Sequence, residues 1–255
     1  MSDTPTPRPG KVPAVTLAFW AIKIAATTLG ETGGDAVSMT LDLGYALSTA
    51  IFVALFLATA AAQIGARRFH PLLYWAAIVA TTTAGTTMAD CADRSLGVGY
   101  VGGSLALAAL LALTLGAWRR ATGSIAVDRI ASPRAEAFYW AAILFSNTLG
   151  TALGDFLASQ PGVGYEGGAL AFAAALALVA AAYFLTAASR TALFWAAFIL
   201  TRPLGATVGD LLTKPLADGG LSLSRPGASA AIAAVMLAAI LLLPQRAGGH
   251  PGRSA

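Results

Sequence analysis

The chain alternates between long apolar segments and short polar stretches. Eight apolar segments are present, at residues 12–35, 44–66, 72–90, 100–118, 136–155, 167–188, 191–212 and 228–244. Each approaches the roughly 20 residues that an α-helix needs to cross about 30 Å of hydrocarbon. Backbone hydrogen bonds inside a bilayer must be satisfied within the segment, which favours helices over open strands. The pattern therefore predicts an all-α polytopic membrane bundle of eight transmembrane helices.

The odd-numbered segments share one motif at fixed spacing. It opens on an aromatic residue followed by Trp, at Trp20, Trp75, Trp140 and Trp195, and successive copies lie 55, 65 and 55 residues apart. A Gly follows each Trp after ten residues, a small residue follows four positions later, and an Asp comes next. These positions are Gly30, Gly34 and Asp35; Gly85, Ala89 and Asp90; Gly150, Gly154 and Asp155; and Gly205, Gly209 and Asp210. The spacing indicates four tandem two-helix repeats, which are parallel because each holds an even number of helices.

The longer interval between the second and third copies divides the chain into two halves. Its ten extra residues fall in a basic stretch that reads RRATGSIAVDRIASPR. We expect a cytoplasmic tail at residues 1–11, a membrane half at 12–118 with repeats 1 and 2, and a basic cytoplasmic linker at 119–135. A second membrane half at 136–244 would then hold repeats 3 and 4, followed by a cytoplasmic tail at 245–255.

Composition supports a membrane protein and argues against two other classes. The chain is 57% hydrophobic and 11% charged, whereas soluble domains carry about 25% charged residues. The net charge of +4 includes no basic run combined with exposed aromatics, so nucleic acid is not an expected partner. The pattern contains no HExxH or Gly-x-Ser-x-Gly motif, and neither His lies in an apolar segment, so we expect no enzyme and no cofactor.

Lys and Arg are distributed unevenly between the two sides of such a bundle. The loops within repeats hold only three, Arg94, Lys214 and Arg225. Because cytoplasmic loops carry an excess of Lys and Arg, both termini are predicted to be cytoplasmic, in a bacterial inner membrane. The tails and the loops between repeats hold the other eleven, which are Arg8, Lys11, Arg67, Arg68, Arg119, Arg120, Arg129, Arg134, Arg190, Arg246 and Arg253.

A polar stripe runs along the odd helices inward from each Asp. Residues four apart share one helix face, and this face carries Asp35, Glu31, Thr27 and Lys23; Asp90, Thr86 and Thr82; Asp155, Thr151 and Asn147; and Asp210 and Arg202. Charges inside a membrane face the bundle interior or a water-filled cavity, and the Gly-xxx-small pairs beside the stripe allow close helix packing. We therefore expect the odd helices to surround a polar cavity that opens outward.

Two cations lie deep in this stripe, and two interpretations of them remain. Lys23 and Arg202 are internal counter-ions, expected to pair with Glu31 and a neighbouring Asp, and Lys23 is expected to pair with Glu31 in particular. Against five carboxylates they leave a formal excess of three negative charges. Alternatively, the Asp residues are solvated helix ends and the charges serve only to fix the packing of the helices.

The first copy of the motif, which runs Thr27–Asp35 as TTLGETGGD, resembles a family of uncharacterised bacterial membrane-anchored proteins built from a short repeat of unknown function. The resemblance covers nearly the whole chain and implies a multi-pass membrane protein without an assigned activity. Copies two and four differ from the first, since Thr86 and Ala206 stand where Glu31 does. The Glu-xx-Gly-Asp segment also resembles the acidic Gly-Asp motifs of small manganese and calcium exporters, whose repeats are inverted.

The leading functional hypothesis is a transporter or exporter of a small cation, with a divalent metal as the best single candidate. Carboxylate oxygens suit hard divalent ions, and Glu31 with Asp35 would form the densest part of the site. Neutral ligands would come from Thr27, Thr82, Thr86, Asn147 and Thr151. The alternatives are a membrane scaffold, sensor or subunit with structural charges, and a transporter of an anionic or organic solute bound by Lys23 and Arg202. The expected partners are the lipid bilayer and a small solute, and the sequence leaves oligomerisation open.

Overall fold

The computed structural model describes residues 10–130 and 132–248, and this part of the chain folds into eight α-helices. Their bounds are α1 Leu17–Asp35, α2 Gly44–Gly65, α3 Pro71–Asp90, α4 Tyr100–Thr122, α5 Pro133–Ala158, α6 Gly164–Leu185, α7 Arg190–Thr213 and α8 Arg225–Leu242. Within the described residues the only β pairing is an isolated bridge between Pro13 and Ala247. The predicted all-α architecture of eight helices is confirmed.

The four odd helices form a closed inner ring, in which α1 packs against α3, α3 against α5, α5 against α7, and α7 against α1. Each even helix lies outside and packs on the odd helix of the following repeat: α2 on α3, α4 on α5 and α6 on α7. The last even helix, α8, packs on α1. The four repeats therefore interlock in a circle, and the boundary between the two halves does not interrupt the ring.

The outer surface of the bundle is apolar, as contact with lipid requires. Large side chains such as Leu105, Leu113 and Leu178 are exposed on the even helices. Six of the described helices are long and apolar enough to cross a membrane on their own composition, namely α2, α4, α5, α6, α7 and α8. The other two, α1 and α3, carry many buried polar residues and are enclosed by the remaining helices. The sequence predicts eight spans, some of them only marginally long enough, and α1 and α3 are apolar only in part because their polar faces turn inward.

Close contacts between the odd helices occur at the glycines of the motif. A Cβ atom added at Gly205 would lie 2.8 Å from the backbone carbonyl carbon of Thr27, and one at Gly30 would lie 3.0 Å from that of Thr82. The same relation holds around the ring, because each glycine receives a stripe residue of the next odd helix. The remaining contacts are Gly34 with Thr86, Gly85 with Asn147, Gly150 with Arg202, Gly154 with Ala206 and Gly209 with Glu31.

The helix ends depart slightly from the predicted limits. The helix α1 begins at Leu17, where the Thr16 side chain accepts from the Phe19 amide, and not at residue 12. At the proposed linker, α4 continues to Thr122 and α5 begins at Pro133 behind a Ser132 cap. The helical backbone continues past two of the motif aspartates as five-residue π-helical turns, Ala36–Thr40 and Cys91–Ser95.

The two described ends of the chain meet at the same end of the bundle. The Ala14 amide donates to the Arg246 carbonyl at 2.9 Å, and the Gly248 amide donates to the Val12 carbonyl at 2.8 Å. This agrees with an even number of helices. Most of the predicted tails, including Arg8 and Arg253, lies outside the described residues, as does the side chain of Arg129.

Candidate functional site

The polar stripes of the four odd helices converge on the axis of the inner ring. Equivalent positions of the repeats form successive layers of four side chains, each about one helical turn from the next. From the inside outward the layers are Lys23, Ile78, Ile143 and Phe198; Thr27, Thr82, Asn147 and Arg202; Glu31, Thr86, Thr151 and Ala206; and Asp35, Asp90, Asp155 and Asp210. The predicted grouping of these residues therefore exists in the structure.

The stripe is enclosed, however, and does not line a cavity that opens outward. The five carboxylate residues are 1–8% exposed, with Asp155 the most exposed at 8%. At the other end of the ring, buried aromatic residues pack together, and the hydroxyls of Tyr74 and Tyr139 lie 2.6 Å apart. The expectation of an open cavity is wrong for this conformation, because the glycine contacts bring the odd helices so close that the stripe side chains fill the axis.

Arg202 neutralises Glu31 in the middle of the stripe. Its Nη2 lies 3.0 Å from Glu31 Oε2, and it also donates to the Thr86 hydroxyl. Its Nη1 donates to the Thr27 carbonyl at 3.2 Å. Both Arg202 and Glu31 are buried, so this pair joins α7, α1 and α3 at the centre of the ring. Arg202 is an internal counter-ion, as predicted.

Lys23 behaves differently, and its expected pairing with Glu31 is wrong. The ammonium is fully buried, and among the residues the structure describes it has no hydrogen-bond partner and no carboxylate within 4.0 Å. It lies 4.3 Å from the centre of the Phe198 ring. Lys23 and Glu31 share one helix face, but the eight residues between them correspond to about 12 Å along the axis. A partner two turns away is out of reach.

The outer layer is bound by basic residues from the loops. Lys214, which follows α7, places its ammonium 2.7 Å from Asp35 Oδ2 and 3.0 Å from Asp210 Oδ1. Burial acts to lower the pKa of Lys214, but the carboxylates of Asp210 and Asp35 outweigh it and raise the pKa above its usual value. Oxygen atoms of Glu31, Asp35 and Asp210 lie within 4.8 Å of one another. These three carboxylates are the group that could hold a metal ion.

The other two aspartates of the layer differ from each other. Arg94 Nε donates to Asp90 Oδ1 at 2.7 Å, whereas Asp155 forms no ion pair and accepts no side-chain hydrogen bond within the described part of the chain. Arg225 adds a longer contact, 3.6 Å, to Asp35. Four of the five carboxylates are thus compensated by four basic groups, and Asp155 is left without one.

Comparison with known proteins agrees with the repeat inferred above. The family model described as Repeat of Unknown Function (DUF347) matches residues 18–69, 73–124, 138–189 and 193–246. The chain belongs to this family. Each matched segment contains one odd helix and the even helix that follows it. No curated protein and no solved structure matches the chain.

Sequence reasoning missed the three basic residues that bind the outer layer. Arg94 and Lys214 stand four residues after the Asp of the second and fourth DUF347 repeats, a spacing that favours ion pairs along a helix. The first and third repeats carry Met39 and Ser159 at this position. These two residues and Arg225 are the three that depart from the positive-inside pattern. Arg94 and Lys214 therefore show both signals, whereas Arg225 shows only the departure from the positive-inside pattern.

The neutral residues proposed as ligands in the DUF347 repeats have other partners. The hydroxyl of Thr27 donates to the Thr201 carbonyl at 3.1 Å, and those of Thr82 and Thr86 donate to carbonyls of α1 at 3.2 Å. Thr151 donates within its own helix, to Asn147 at 3.3 Å. The Asn147 amide has no partner among the described residues. Three of the threonines therefore join neighbouring odd helices.

Proposed function

We propose that the chain transports a small cation across the membrane through the ring of odd helices. The observation that carries this proposal is the place of the Lys214 ammonium, which lies between the carboxylates of Asp35 and Asp210 beside Glu31. A tethered cation in an enclosed acidic group marks a place where a free cation would be stabilised. Intramembrane charges are costly, so a bound cation would be compensated there and rejected in the apolar layers nearby.

In this scheme the cargo competes with Lys214 for the outer carboxylates. Lys214 is the C-cap residue of α7 and is 7% exposed, so the scheme requires its side chain to turn toward solvent when a cation takes its place. The cargo would then lie next to Glu31, whose pairing with Arg202 holds the carboxylate in position. Sequence reasoning favoured a divalent metal as cargo, bound by Glu31 and Asp35. The donor set is made of hard oxygens, which bind Mg²⁺, Ca²⁺ and Mn²⁺ as well as monovalent cations.

We also propose that the protein resides in a bacterial inner membrane with both termini in the cytoplasm. The support is the excess of Lys and Arg in the tails and the loops between repeats. This orientation places the aspartate layer toward the periplasm and the buried aromatic residues toward the cytoplasm.

A second candidate function is a non-transporting membrane scaffold, sensor or subunit. The pairing of four carboxylates with four basic groups favours it, because compensated charges also fix the relative positions of helices. In this case the charged layers would contribute to folding alone, and no solute would bind them.

Ion flux measured together with folded yield separates these two functions. Reconstituted protein would be tested with a panel of monovalent and divalent cations, using Asp35→Asn, Glu31→Gln and Asp210→Asn. We expect all three to abolish flux per folded molecule, because Glu31, Asp35 and Asp210 together form the acidic group at the Lys214 ammonium. Asp42→Asn is the matched control, since Asp42 is exposed in a loop on the same side.

The scaffold makes the opposite prediction for the same preparations. Flux would be absent for every cation in the wild-type protein, or would fall only in proportion to the folded yield of each variant. Either result would refute the transport proposal.

A further inference from the structure

The basic residue after the second Asp of each half contacts a different number of aspartates in the two halves of the ring. In the second half, Lys214 holds both the Asp of its own repeat and Asp35 of the next repeat around the ring. Arg94 occupies the same repeat position in the first half, but it binds only its own Asp90. The next aspartate around the ring is Asp155, which would be the second partner by analogy. Asp155 therefore lacks the cation that Asp35 receives.

Asp155 is a buried carboxylate without an ion-pair partner among the described residues. It is 8% exposed, and within the described residues no basic nitrogen lies within 4.0 Å of it. The carboxylates of Asp210, Glu31 and Asp90 add negative charge around it, and the guanidinium of Arg94 offsets part of that charge from beyond ion-pair distance. A carboxylate with so little exposure and no protein partner is satisfied by a ligand, a water or a proton.

Counted over the stripe carboxylates and the bases that contact them, the outer end of the ring is one positive charge short. Its five carboxylates are Glu31, Asp35, Asp90, Asp155 and Asp210, and the basic groups in contact with them are Arg94, Arg202, Lys214 and Arg225. Lys23 lies several turns further inward, about 18 Å from the aspartate layer along the helix. One monovalent cation would balance these stripe charges, whereas a divalent ion would leave them with one excess positive charge.

We propose that Asp155 is the loading site for the cargo and that the cargo is a monovalent cation of the ammonium class. This inference rests on the proposed function and names the site and substrate class within it. Lys214 shows which chemistry the equivalent place accepts, because its N–O distances of 2.7 and 3.0 Å are those of charged N–H···O hydrogen bonds. Divalent metals require oxygen ligands at about 2.0–2.6 Å. Asp155 is also the most exposed carboxylate of the five, which makes it the first that a cation from outside would meet.

The position four residues after Asp155 provides a direct test. Ser159 is exposed there, in the place that Arg94 and Lys214 occupy in the even repeats. Ser159→Lys would supply a tethered ammonium to Asp155 without removing the carboxylate. Met39→Lys is the matched control, because it adds a lysine at the same position of the first repeat, where Asp35 already has its partner.

The measurement is calorimetric binding of methylammonium chloride to the purified full-length protein in detergent, with choline chloride, KCl and MnCl₂ as comparison salts. We expect saturable binding of methylammonium, weakened roughly tenfold or more by Ser159→Lys and by Asp155→Asn, and unchanged by Met39→Lys. Asp155→Asn should fold normally because it leaves no basic group unpaired. Ser159→Lys keeps the test valid if the Asn variant is poorly folded.

Three outcomes would overturn the inference, and one of them would also remove the proposed function. Binding of Mn²⁺ without binding of methylammonium would assign a divalent cargo and leave cation transport intact. Methylammonium binding that neither Ser159→Lys nor Asp155→Asn weakens would place the loading site elsewhere. Absence of binding for every cation, together with absence of flux, would refute transport itself and leave Asp155 as a protonated structural group.

Discussion

The two buried cations of the stripe should respond in opposite directions to removal of their charge. Arg202→Met and Lys23→Met both replace a long cationic side chain by an apolar one of similar reach. Arg202 has a carboxylate partner at 3.0 Å and further acceptors on two helices. Lys23 has only the Phe198 ring, at 4.3 Å. We therefore expect the first variant to lose stability and the second to keep or gain it.

For Arg202→Met the expected loss of unfolding free energy follows from the Glu31 carboxylate that remains without its partner. Glu31 is 3% exposed, and without Arg202 its charge would be buried and unpaired. Breaking a buried ion pair by removing one partner costs about 3–5 kcal/mol of unfolding free energy. The double variant with Glu31→Gln removes the orphaned charge, so it should recover part of this loss and show a favourable coupling between the two sites.

For Lys23→Met two smaller effects oppose each other. An ammonium at the centre of a bilayer costs at least about 2.5–3.5 kcal/mol. A desolvated cation–π contact returns about 2 kcal/mol. Lys23→Met removes both the burial cost and the cation–π contact, so the unfolding free energy should stay unchanged or rise by about 1 kcal/mol. This is within the range expected when a buried polar group without a partner is replaced by an apolar one.

Reversible unfolding in mixed detergent–SDS micelles, followed by Trp fluorescence, measures these differences. Wild type, the two single variants and the Arg202→Met, Glu31→Gln double variant would be compared at one pH and one salt concentration. A loss of several kcal/mol in Lys23→Met would show that Lys23 has a strong partner after all. Strictly additive effects of Arg202 and Glu31 would show that they are not coupled, and both results would contradict the pairing described above.

Two further predictions concern packing and orientation. Gly205→Ala should reduce the unfolding free energy by about 1–3 kcal/mol through overpacking against Thr27. Gly33→Ala should be neutral or slightly stabilising, because its added Cβ meets no atom within 4 Å. Equal thermal stability of the two detergent-extracted variants would contradict the ring contacts. A reporter fused after Arg246 should read cytoplasmic and one inserted near Asp218 periplasmic, and a result with both on one side would contradict the even number of spans between them.

The architecture could be predicted from sequence because it depends on periodic features. The Trp-to-Asp spacing fixes four equivalent helices. The stripe that carries Asp155 and the flank beside it that carries Gly150 must turn toward partners when the opposite face meets lipid. Which residue of which helix packs on each glycine could not be predicted from the sequence. The structure shows that Gly150 receives Arg202 from the next odd helix, a contact between residues 52 positions apart that no local pattern encodes.

The errors at the site have the same physical origin. Lys23 was paired with Glu31 because both lie on one helix face, but an ion pair needs atoms within about 4 Å, and two helical turns exceed that distance. Arg202 reaches Glu31 because a neighbouring helix presents it at nearly the same depth. Lys214 was counted only as a loop charge, although its spacing from Asp210 follows the helical pattern of an ion pair.

The four repeats carry equivalent residues at the glycine positions on which ring closure depends, and different residues along the polar stripe where a solute would bind. Gly30 and Gly205 occupy equivalent positions, because every odd helix must accept a side chain of the next one for the circle to close. The stripe has no such requirement, and it carries Glu31 in one repeat only. Symmetric charges would place four identical carboxylates around one axis and maximise their mutual repulsion. The unequal supply of bases relieves that repulsion at three of the four aspartates, so the remaining one, Asp155, is where a free cation gains the most.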